Sequence, residues 1–184
     1  PGPAPAVAFP DYDLITTANG IRVIIVRNAE LPTINIRMLI DRQPVLEKEC
    51  VGYIDIAGQL LRTGTTNRTK DQLDEEIDLI GANMGSGGTS VYASGLSKNT
   101  DKLFELMADV VLHPSFPQDE LDKLLTQTKS GLKFRKTEPT MIAELIRRKL
   151  VFGDNHPYGE TETEESVGKI TRDKCMDMYN TFFK

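Results

Sequence analysis

Apolar and polar positions along this 184-residue chain change period several times, and each change marks a new element. Short apolar runs from Tyr12 to Thr16 and from Ile21 to Val26 flank Asn19-Gly20, a pair suited to the positive φ of a tight hairpin turn. From Thr33 to Ile40 the residues Ile34, Ile36, Met38 and Ile40 alternate with polar or smaller ones, predicting a strand with one buried face. A polar loop then leads into a short apolar helix opened by Gly52. Thr69 is placed to cap a second helix through Leu73, Ile77 and Ile80, with Asp71 and Asp74 near its positive end and Gly81 as its stop. Asn83 to Gly88 and Ser90 to Leu96 predict two strands around a Gly-rich bend.

Beyond this point the period is helical. Leu103, Leu106, Met107, Val110 and Val111 form a stripe that ends before Pro114, and Leu121, Leu124, Leu125, Thr128 and Leu132 form another from about Gln118 to Lys136. A third helix spans about Thr140 to Val151. The last begins near Thr171 and carries Met176, Tyr179 and Phe183. This order predicts an α+β fold, a mostly antiparallel sheet with helices packed on one face. Residues 1–11 open on Pro1-Gly2-Pro3-Ala4-Pro5-Ala6 and read as an extended tether, followed by one domain over residues 12–184. A chain ending on a helix with no closing strand is expected to be part of a longer polypeptide.

Composition narrows the function. A net charge of −5 with scattered basic residues argues against a nucleic-acid partner, which needs a concentrated Lys/Arg surface. No apolar run approaches eighteen residues, so no membrane span is expected. Cys50 and Cys175 belong to no C-x-x-C pair and read as small, partly buried residues.

The segment from Gly52 to Thr65 carries the candidate chemistry. Asp55 and Gln59 are four apart and share a helix face with Gly58, while Ile54, Ile56, Ala57, Leu60 and Leu61 take the other side. A zinc hydrolase needs three protein ligands, an open position for water and a base. This helix offers one ligand in Asp55 and no base, since Gln59 is a poor ligand and Gly58 offers none. Gly58 also costs about 1 kcal/mol relative to Ala within a helix and would leave a gap on that face. The plain reading is a polar helix face hydrogen-bonded to its neighbours. A site joining Asp55 to the two histidines, His113 and His156, is the alternative; otherwise each histidine is exposed or capping. No G-x-S-x-G elbow, Walker loop or dinucleotide fingerprint is present. Glu75-Glu76 and Glu164-Glu165 read as solvated helix faces.

Several segments in order resemble the insulinase/pitrilysin peptidases, which carry an inverted zinc motif, H-x-x-E-H. Gly52 and Gly64-Thr65 frame the helix as that motif is framed. Thr17 to Val23 is similar to the family's opening L-x-N-G-L-x-V hairpin. Phe116-Pro117 with Glu120-Leu121 resembles the entry to the helix bearing the third ligand. His156-Pro157-Tyr158-Gly159, then Glu165-Ser166-Val167 and Ile170-Thr171, resemble later family segments. Carried over by position, the two histidines fall at Asp55 and Gln59, the base at Gly58 and the third ligand at Gly131. The resemblance therefore implies a metallohydrolase-like fold with its catalytic groups gone and no zinc cofactor. It also implies a role as the non-catalytic part of a bipartite, heterodimeric peptidase, with a zinc-bearing homologous chain or domain and peptide substrate as partners. A peptide would add along an edge strand at Asn83, Met84, Gly85, Ser86 and Gly87. The rival readings are a structural or interaction module without a role in proteolysis, and a metallopeptidase with a replaced site. An exported, periplasmic or envelope location is preferred, from the tether and from what bacterial members of the family are like.

Overall fold

The computed structural model describes residues 10–28 and 30–184; most of the expected tether lies outside the described residues. The chain falls into two compact units, residues 1–32 and 33–184. In the first, β1 (Tyr12–Thr16) and β2 (Arg22–Val26) pair antiparallel, Thr16 opposite Arg22. The turn is longer than a two-residue Asn-Gly loop. The Gly20 amide donates to the Thr17 carbonyl, and Gly20 alone takes the left-handed conformation, at φ +86°.

The second unit is built on a three-stranded antiparallel sheet in the order β3-β5-β4, comprising β3 (Thr33–Leu39), β4 (Asn83–Ser86) and β5 (Ser90–Leu96). Its helices are α1 (Tyr53–Leu60), α2 (Lys70–Leu79), α3 (Thr100–Leu112), α4 (Gln118–Arg135), α5 (Pro139–Phe152), α6 (Glu164–Gly168) and α7 (Arg172–Phe182). Period-two patterning sends Met84, Val91 and Ala93 into the core, with Ile34, Ile36 and Met38 packed against it. Opposite them lie Leu103, Leu106 and Val110 of α3 and Leu73 and Ile77 of α2, all buried. Helix α1 contributes Ile56, Ala57 and Leu60, with Leu61 in the turn that follows, and packs against α7, α4 and β4. Both cysteines are buried and free; burial pushes the Cys175 thiol up to about 12, which keeps it protonated. The cap expected at Thr69 forms: its hydroxyl accepts from the Gln72 amide and the Gln72 side chain accepts from the Thr69 amide.

Among the described residues, two that are not glycine adopt positive φ, Lys48 at +57° and Phe116 at +50°, a conformation disfavoured for residues with a Cβ. Each is held by a distant charged side chain. The Glu160 carboxylate accepts from the successive amides of Glu47 and Lys48, both at 2.7 Å. With Glu47 right-handed and Lys48 left-handed, the two amides form an anion-binding nest. The Arg172 guanidinium donates to the Phe116 carbonyl at 2.7 Å and the Ser115 carbonyl at 3.1 Å. Phe116 is thereby held edge-to-face against Tyr179, with centroids 5.8 Å apart.

The nest positions α1. Glu47 turns its own carboxylate onto the amides of Gly52 and Ile54, two of the donors a helix start leaves free. At the other end, the loop after α1 is fixed by Asp109, only 5% exposed, which accepts from Thr65, Asn67 and Arg68. Arg68 also pairs with Glu76 and Glu105, so that Glu76 lies in an ion network rather than on a free helix face.

These two carboxylates have opposite pH signatures. Burial pushes the Glu47 carboxyl up, opposed by its two amide bonds and reinforced by Asp55 and Glu160. Burial would also raise Asp109, but the donors Asn67, Arg68 and Thr65 outweigh it and hold the group low. The folded state therefore binds a proton at Glu47 more tightly than the unfolded chain does, and stability falls as pH rises above about 4.5. For Asp109 the stabilisation is present above about pH 3.9 and is lost below it. In urea titrations from pH 4 to 8, Glu47→Gln should match or exceed the wild type at pH 7 and lose that advantage near pH 4. Asp109→Asn should cost about 1–3 kcal/mol at pH 7 by stranding its buried partners.

Candidate functional site

Helix α1 presents its polar face as the sequence implies. Asp55 and Gln59 are exposed, and Gly58 between them is buried. The expected hydrogen bonds from this face are absent: neither side chain makes a hydrogen bond or ion pair among the described residues. Gly58, expected to leave a gap, leaves none. The β4–β5 turn lies directly on it, and a Cβ at Gly58 would fall closer than 3.0 Å to the backbone of both Gly87 and Gly88. Gly88 is equally constrained. A Cβ there would lie 2.6 Å from Ile54 Cγ2 and 3.0 Å from Asp55 Oδ1. Helix and turn thus meet backbone to backbone, possible only because each side lacks a Cβ. The turn closes with the Gly87 amide donating to the Ser90 carbonyl at 2.8 Å.

The remaining sequence-predicted positions are dispersed. Gly131 lies on α4, exposed, with nothing within 4 Å of a Cβ placed on it. His113 ends α3 with Nδ1 3.3 Å from Asp109 Oδ1, and His156 stacks on Phe152 while its Nδ1 accepts from the Tyr158 amide. Among the described residues, no three His, Cys, Asp or Glu side chains gather closely enough to hold a metal ion. On α1 itself, Gln59 and Gly58 supply no thiolate, imidazole or carboxylate beside Asp55.

Residues Asn83 to Gly87 do sit together at a sheet edge. Strand β4 pairs only with β5, leaving its other side unpaired among the described residues. Gly85 faces Tyr92 across the ladder, and the Tyr92 ring occupies the space a Gly85 side chain would need, with Cζ 2.5 Å from its Cβ position. Met84 points into the core, while the Ser86 hydroxyl is buried without a hydrogen-bond partner. The sequence did not reveal Glu47 and Glu160 as residues that fix this helix. Their one local signal is Glu47, five residues before Gly52.

Helix propensity alone makes Gly58→Ala and Gly131→Ala both stabilising, by up to about 1 kcal/mol. The structure separates them. Gly131→Ala, entering open space, should stabilise by about 0.5–1 kcal/mol. Gly58→Ala should destabilise by about 1–3 kcal/mol, because the turn must shift. Denaturant midpoints of the two variants, taken with unchanged slopes, measure both.

An uncharacterized zinc protease of Bacillus subtilis, YmxG, is 22% identical over 175 residues, 91% of this chain and 42% of its own length. Bovine mitochondrial cytochrome b-c1 complex subunit 1 is 29% identical over 123 residues, 63% of this chain and 25% of its own. Among solved structures, a peptidase M16 inactive domain from Pseudomonas fluorescens superposes with a TM-score of 0.82 at 23% identity, over 92% of this chain and 43% of that one. The chain thus spans less than half the length of these relatives. The family description "Insulinase (Peptidase family M16)" matches residues 48–155, which hold α1, the β4–β5 turn and the start of the His156 loop. That match covers more than half of the chain, and the chain belongs to the insulinase family of peptidases, M16.

Proposed function

We propose that this chain is a catalytically degenerate M16 domain that binds peptide without cleaving it, as the non-catalytic part of a two-part peptidase whose zinc-bearing half is a homologous chain or domain. The observation that carries the reading is the contact of Gly58 with Gly87 and Gly88. In the family frame Gly58 stands where the base belongs, and the space of any side chain there is taken by backbone. Asp55, Gln59 and Gly131 do not make good the loss, since only Asp55 carries a metal-binding group. The likeness to a solved inactive M16 domain supports the same reading. The peptide surface in this reading is the free edge of β4, where main-chain amides and carbonyls can extend the ladder.

A second reading, an interaction module without a role in proteolysis, draws on the likeness to cytochrome b-c1 complex subunit 1. It also draws on α5, a helix with no buried residue, on which Leu150 is 82% and Ile146 54% exposed.

Zinc analysis, peptide cleavage, a restored-motif variant and peptide titration test the first reading. The purified chain should carry no stoichiometric zinc by elemental analysis and should not cleave quenched-fluorescence peptides. The variant Asp55→His/Gly58→Glu/Gln59→His should also fail to bind zinc stoichiometrically, and its thermal midpoint should fall. Chelator-sensitive cleavage by the wild type would overturn the proposal. An extended peptide should shift the amide resonances of Asn83 to Gly87; shifts confined to α5 would favour the interaction module instead.

A further inference from the structure

We draw no further inference here: the strongest candidate, the exposed apolar face of helix α5 around Ile146 and Leu150, carries none because nothing in the structure shows what covers it.

Discussion

The backbone of Gly58 on α1 touches the backbone of Gly87 and Gly88 in the β4–β5 turn, and the rest of the site follows from that approach. Helix and strand ordinarily stand apart by the thickness of their side chains. Here both sides give them up, so the turn drops onto the helix between Asp55 and Gln59. The contact is expensive by local propensity, since glycine weakens both helix and strand. It persists because the surrounding core over-determines it, with Ile56, Ala57, Leu60 and Leu61 locked beneath α1 and Val91 and Ala93 beneath the strands. A side chain cannot return to position 58 without lifting the turn. The lack of room at position 58 and the seat of the turn on α1 are one structural fact.

Two left-handed residues show how the loops around this contact are held. Lys48 and Phe116 would each strain an isolated chain, and each is fixed by a charged side chain far away in sequence, Glu160 and Arg172. The Glu160 nest sets Glu47, Glu47 sets the start of α1, and Asp109 fixes the loop after it. The motif helix is therefore tied at both ends by carboxylates that accept from the chain, Glu47 at its start and Asp109 at the loop after it.

Much of this was legible in the sequence where the cause is local. The Thr69 cap, the breaks at Gly81 and Pro114, the alternation of Ile34, Ile36 and Met38, and the three- and four-residue stripes all depend on residues within a turn or two of one another. The division into two sheets, and the Thr17–Ile21 loop in which only Gly20 is left-handed, depend on pairing partners that periodicity does not name. The largest misreading concerned Gly58. From the helix alone a glycine looks like a hole, because what fills it comes from about thirty positions away. The nest was invisible for the same reason, since Lys48 and Glu160 lie 112 positions apart. The polar face of α1 was expected to find neighbours, yet Asp55 and Gln59 are exposed, and Gly87 and Gly88, the turn residues against the helix, bring no side chain to them.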